Sequence, residues 1–469
     1  MTSTDLASKG VNWRLVAVMS IAGCGPAAVI ALNLQFMGQF AGAALVFAFM
    51  LVWPGILILA NTFTEFAKRI PSSGGLYTWN SHAWGRDFGF IFGWNLIGAY
   101  IVLASAGFTV FGGWVSEWLL TQYQLSIPWW IFTAAAVSYV VAMGCLGIQR
   151  SLYAALTLLG LQCAVILALA LYILIRGPME GGGLGIEPFL PSAAGAAGWA
   201  GIGLAMTYAV LSHVGVEEGA TLGKEVRDPK RQLARGLWVA AIVVPGFYVL
   251  VSYAMVYGYG IDRMEEFGND DAPLQTIAAM YWGDVGLTIV VIAILGSILA
   301  FSQAGFLAGT RVLYTLGNER VLPQWLAQVS PRNTPNRSII TMGVITIVLG
   351  APLAFVAGPF NVWGYFGFLI SIAFLVSYVS TNLGLIRYMR RIGEYHWLRH
   401  GVLCTLGALI FLYPLYRVVW PLPPGIYGVI PFVYIAWIVL GAMFLMYTRN
   451  VRPEIMDAIG TTLGDDDQG

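Results

Sequence analysis

Residues 20–29 read SIAGCGPAAV and lie inside the first apolar segment of the chain. Gly23, Gly25 and Pro26 fall near its middle, and glycine and proline are the poorest helix formers. In hydrocarbon every freed backbone N–H or C=O must find a partner, at a cost of several kcal/mol if it does not. A break here therefore needs either a ligand or a close-packed neighbour. Small residues spaced along a membrane helix allow close packing without any ligand.

The surroundings of this stretch fix its setting. The chain is 58% hydrophobic and 10% charged, with a mean hydropathy of +0.75. A soluble domain carries about 25% charged residues, so too few polar groups exist to cover a water-facing surface. The apolar runs are long and continuous, which indicates membrane helices rather than the short alternating strands of a barrel. Twelve runs approach spanning length: 15–36, 40–64, 88–120, 128–146, 152–175, 198–222, 236–259, 285–316, 339–356, 361–389, 401–420 and 425–447. The third, eighth and tenth exceed about 20 residues and are expected to tilt or to extend beyond the bilayer.

Charge sets the orientation. With the N-terminus inside, all but Arg176, Arg263 and Arg417 of the 24 Lys and Arg residues fall on the inner side. This predicts a multi-pass protein of the inner or plasma membrane with both termini in the cytoplasm. Residues 1–14 and 448–469 are read as cytoplasmic tails around a single transporter domain, 15–447. The acidic outer stretch IDRMEEFGNDD is read as a solvated loop.

The motifs of soluble chemistry are missing. His82, His213, His396 and His400 have no metal spacing, and Cys24, Cys145, Cys163 and Cys404 sit in apolar runs as packing residues. No metal, no cofactor, no nucleic-acid partner and no enzyme activity are expected. The Trp and Tyr content is read mainly as interfacial anchoring.

The interruption recurs. The sixth run, LAMTYAVLSHVGVEEGATLG, carries Gly215, Glu217, Glu218 and Gly219. Glu at the centre of a spanning helix costs roughly 2.5–3.5 kcal/mol, so this helix is expected to break as well. The two breaks lie five helices apart. Paired interrupted helices in corresponding halves are the best sequence pointer to a transporter's binding site. A restarting helix offers N–H groups to an anion, and a stopping helix offers carbonyls to an ammonium group or a cation. A zwitterionic amino acid fits between such ends.

At this point the residues resemble a known family. AGCGPAA is similar to the unwound first-helix motif of the amino acid–polyamine–organocation (APC) superfamily, bacterial amino-acid permease type. FTEFAKRIPSSGGLYTW followed by GWN resembles its second-helix and loop signature. HVGVEEGATLGKEVRDPKRQLARG resembles its sixth helix, and AGTRVLYTLGNERVLPQWLAQVSPRNTPNRS its eighth. The resemblance implies an all-α fold of 12 transmembrane helices. Two inverted five-helix repeats (15–176 and 198–389) would carry broken helices 1 and 6, followed by two C-terminal helices (401–447). It also implies secondary transport of amino acids or related amines.

Carried over by position, Ile21, Ala22, Gly23, Cys24 and Gly25 resemble the element that holds the substrate's amino-acid head. Leu211, Ser212, His213 and Gly215 resemble the facing wall, and Phe108 and Gly305 would face the side chain. The amides of Cys24 and Gly25 are expected to take a carboxylate, and carbonyls near Ile21 and Leu211 an amine. Glu217 stands at the family's common Glu, either as a cap or as a proton-linked gating group.

The chain also departs from the pattern. Pro26 and Ala27 replace the usual Ile and Phe. His213 replaces an aromatic residue and either binds substrate, titrates, or bonds a local carbonyl. No Lys lies between Arg150 and Arg176, where some members place one. A sodium site would then need carbonyls near Ala22 with Ser297 or Ser302, although Ser in a membrane helix more often bonds its own backbone. Glu65 and Lys68 are read as charges that order the inner loop. The expectation is a permease or exchanger of a neutral amino acid, with sodium or a proton as the coupling ion and the bilayer as its setting. An amine or polyamine transporter, a sensor and a membrane enzyme are the alternatives.

Overall fold

Long apolar runs with few capping residues become long helices. The computed structural model describes residues 12–70, 74–146, 148–178, 185–224, 226, 228–332 and 334–451. The tail segments 1–11 and 452–469, with the charges assigned to them, lie outside the described residues. The first helices are α1 (Trp13–Cys24), α2 (Pro26–Ala41), α3 (Leu45–Arg69), α4 (Leu76–Trp84) and α5 (Arg86–Tyr123). They are followed by α6 (Trp129–Leu146), α7 (Ile148–Arg176), α8 (Gly198–Leu211), α9 (Pro229–Tyr259) and α10 (Met264–Asn269). The last are α11 (Pro273–Asn318), α12 (Asn336–Ala357), α13 (Pro359–Arg391), α14 (Leu403–Val419) and α15 (Ile430–Val451).

Among the described residues, 11 helical runs are long and apolar enough to cross a membrane. The first, Trp13–Arg69, has 57 residues. At about 1.5 Å per residue it far exceeds a hydrocarbon core of roughly 30 Å. It is interrupted at Gly25 and again at Gly42, whose φ values are +53° and +52°. The long third, eighth and tenth segments become α5, α11 and α13, of 38, 46 and 33 residues. α11 bends at Gly283, where φ is +63°.

Local chemistry sets the helix ends. The Asn12 side chain accepts from the amides of Arg14 and Leu15 and caps α1. Asp228 accepts from the Arg231 amide ahead of α9, with Pro229 at the first helical position. Glu65, buried at the end of α3, accepts Lys68 at 3.1 Å, Arg69 at 2.8 Å and Arg399 at 2.9 Å. Arg69 also pairs with Glu394 at 2.6 Å. This cluster joins α3 to the connection between α13 and α14.

The acidic stretch 261–271 corrects its reading as a solvated loop. It contains α10, and Phe267 is fully buried against Gly38 of α2. Gln39 donates to the Gly268 carbonyl at 2.7 Å, and Gln35 donates to Asp271 at 3.2 Å. The acids on either side conceal an apolar anchor. Anchoring also fails as the reading for several aromatic residues: Tyr208, Tyr248, Tyr378 and Trp363 are buried in the core. Of the cysteines, Cys24 and Cys404 are buried, whereas Cys145 and Cys163 are only partly so.

Candidate functional site

The first break is a single residue. Gly25 adopts the left-handed conformation that an L side chain resists, and Pro26 then starts α2 without needing an N–H. The Gly25 amide turns back to the Ala22 carbonyl at 3.0 Å. Ser297 of α11 accepts from the Ala28 amide at 2.9 Å and so caps α2 from another helix. Pro26 has no donor, so the Ala27 N–H is the one in this turn without an acceptor among the described residues. The sequence placed the carboxylate on Cys24 and Gly25. In this structure Cys24 ends α1 and the Gly25 amide is already bonded.

The second break is longer. α8 ends at Leu211, the chain turns through 212–217, and a tight 3-10 turn covers Glu218–Lys224. Gly215 has φ +102°. The two breaks touch. A Cβ on Gly215 would lie 2.3 Å from the Gly23 carbonyl carbon, and one on Gly23 would lie 2.7 Å from the Gly215 oxygen. Gly219 likewise leaves room only for Ser20 and Val16 of α1. Close packing by small residues is therefore present at the breaks themselves.

The freed carbonyls converge on one hydroxyl. Tyr248 of α9 donates to the Ser212 carbonyl at 2.7 Å and lies 3.3 Å from the Cys24 carbonyl. Its single proton cannot fully serve both, and each carbonyl has two lone pairs. Both helices end here, so both negative dipole ends point at the same place. Phe301 of α11 packs against Gly25 and meets Trp363 edge-on at 5.8 Å.

A second polar link ties α2 to α8 and α13. Asn33 of α2 donates to the Ser212 hydroxyl at 3.0 Å, and its carbonyl accepts from the Trp363 indole at 3.0 Å. Ser212 donates to the Tyr208 carbonyl, and the Tyr208 hydroxyl donates to Gly364 at 2.7 Å. Asn33, Tyr208, Tyr248, Phe301, Trp363 and Tyr378 were absent from the sequence assignment. Of these, Asn33 carried a legible signal, because an amide inside an apolar run is costly unless it is paired.

The remaining assigned residues fall in different places. Ile21 and Ala22 are partly exposed at the end of α1. Leu211 packs at Gly367, and its carbonyl accepts the Val214 amide. One ring nitrogen of His213 (Nδ1) bonds the Ala209 carbonyl at 2.7 Å, while its edge meets Tyr248 with centroids 5.1 Å apart. Its other nitrogen has no partner among the described residues. Glu217 accepts from the Gly215 amide at 3.2 Å and from the Tyr378 hydroxyl at 3.1 Å. The Glu218 carboxylate lies beside Gly23.

Phe108 is not brought to the breaks. It packs edge-on to Phe306, 6.2 Å away, in a separate cluster with Val137 and Val140. The space left by Gly305 is occupied by Leu103. Ser302 donates to the Ile298 carbonyl of its own helix at 2.6 Å. Ser297 serves the Ala28 amide, so both candidate ion-site hydroxyls have protein partners.

The chain matches the family described as amino acid permease over residues 12–444. It belongs to that family and is a multi-pass membrane transport protein rather than an enzyme. It is 23% identical to the branched-chain amino acid permease BcaP of Lactococcus lactis, over 77% of each chain. It is 25% identical to BcaP of Bacillus subtilis, over 72% of this chain and 74% of that one. It is 26% identical to cationic amino acid transporter 7, chloroplastic, of Arabidopsis thaliana, over 88% of this chain and 71% of that one.

Proposed function

We propose that the protein is a secondary transporter of a neutral amino acid, working by alternating access in the cell membrane with both termini in the cytoplasm. The Trp13–Arg69 run then supplies two crossings, giving twelve in all. Helices 1 and 6 of two inverted five-helix repeats are the broken ones. The observation that carries this reading is the convergence of the Cys24 and Ser212 carbonyls on Tyr248, beside the restart of α2. An ammonium group adds the donors that the two carbonyls still lack. A carboxylate on the same carbon reaches the Ala27 N–H. Ile21, Ala22, Gly23, Gly25 and Leu211 shape the backbone around this head, and Phe301, packed against Gly25, presents an apolar wall to the side chain.

Competition for uptake into proteoliposomes tests the head group. Once a transported amino acid is found, its methyl ester and its decarboxylated amine should both compete at least about tenfold more weakly, because each lacks the charge received at α2. An amine that competes better than its parent amino acid would replace this reading with amine transport. A cationic side chain is the second reading, favoured by the Glu218 carboxylate beside Gly23. Stronger competition by lysine or arginine than by leucine would select it. Sodium-free uptake with and without a pH gradient separates a sodium drive from a proton drive through Glu217 or His213.

A further inference from the structure

The inner end of α13 carries Arg387, Arg390 and Arg391, which share one face of the helix because they are three and four residues apart. All three are exposed. Each guanidinium lies over an aromatic ring: Arg387 over Trp84 at 5.6 Å, Arg390 over Tyr395 at 4.8 Å and Arg391 over Tyr388 at 5.5 Å. A ring beneath a guanidinium uses none of its N–H donors, so these are left for an anion. The neighbouring carboxylates are engaged elsewhere. Glu394 holds Arg69, and Glu65 holds Lys68, Arg69 and Arg399. Among the described residues no carboxylate pairs with the three arginines.

An apolar strip begins beside them. Trp397, Leu398, Val402, Leu406 and Leu409 are exposed in sequence along the connection and the start of α14, with Trp397 at 66%. Tyr395, under Arg390, also meets His400 of the same connection. Oriented donors at the head of an apolar strip match a phosphate joined to acyl chains. Planar guanidiniums bind such a group through two parallel N–H bonds. A site that served only to set membrane orientation would need charge but not a ring under each guanidinium.

The geometry points to a binding site for an anionic phospholipid, with the headgroup phosphate on Arg390 and Arg391, Arg387 beside them, and an acyl chain along α14. This site is independent of the transport reading. Native mass spectrometry of the full chain, with added palmitoyl-oleoyl phosphatidylglycerol or phosphatidylcholine, tests it. The wild type should retain phosphatidylglycerol in preference to phosphatidylcholine. R390Q/R391Q should weaken that binding roughly tenfold or more.

R332Q/R337Q removes the same charge from another exposed pair and should bind as the wild type does. Should R390Q/R391Q fail to fold, R390K/R391K keeps the charge, loses the planar fork, and should still bind severalfold more weakly. Inorganic phosphate at the same concentration should not displace the lipid. Equal retention of the two lipids, equal loss in the two Gln pairs, or displacement by phosphate would each overturn the assignment.

Discussion

Gly215→Ala is expected to bring uptake down to background. The added Cβ would sit 2.3 Å from the Gly23 carbonyl carbon, and that contact is backbone, which cannot rotate aside. The position also has φ +102°, so the substitution is strained even without the contact. Gly358→Ala separates the two effects. Its φ is +86°, and nothing lies within 4 Å of the new methyl group. With ψ at 150° the residue lies in an extended positive-φ region open almost only to glycine, so the change should cost about 1–3 kcal/mol of stability through conformation alone and keep most of the uptake. Uptake by Gly215→Ala at the wild-type level would mean that the two broken helices need not touch in the working protein.

Tyr248→Phe is the second large effect. Phenylalanine keeps the ring that stacks on Phe49 and meets His213, but removes the donor shared by the Cys24 and Ser212 carbonyls. Losing a buried partner costs about 1–3 kcal/mol, which corresponds to roughly a 5- to 150-fold rise in KM if the hydroxyl orients the carbonyls for substrate. Uptake kinetics and thermal unfolding should be measured together. A lower melting temperature with an unchanged KM would reduce Tyr248 to a brace between helices.

The crossings were legible because length and hydropathy are additive along a chain. The breaks were legible because Gly25, Pro26 and Gly215 act on their own backbone. What stayed hidden was pairing across distance. Ala28 is capped by a serine 269 residues away, and Cys24 meets a tyrosine 224 residues away. Helix rotation was hidden as well. Phe108 lies on α5 as expected but faces Phe306, because each residue along a helix turns the side chain by about 100°. At Gly305 the missing side chain suggested space, yet a neighbour, Leu103, fills it. Tyrosine was ambiguous by nature, since its ring suits either a headgroup layer or a core with one polar partner. Phe267 was masked by the acids around it.

Asn33 and Gly25 together have a mechanical consequence. α2 packs on α8, α10 and α11 and is tied through Asn33 to Ser212 and Trp363. α1 packs chiefly on α9 and on the turn at Glu218–Lys224. The two helices are covalently continuous yet pack on different neighbours, and the boundary between them crosses the chain at one glycine, Gly25. A ligand with opposite charges on one carbon would grip both sides of that joint, at the Cys24 carbonyl and the Ala27 amide. Occupancy and stiffness then become one quantity. Hydrogen exchange across residues 23–28 should slow when substrate is bound, and an unchanged exchange rate would show that the ligand rests on one side only.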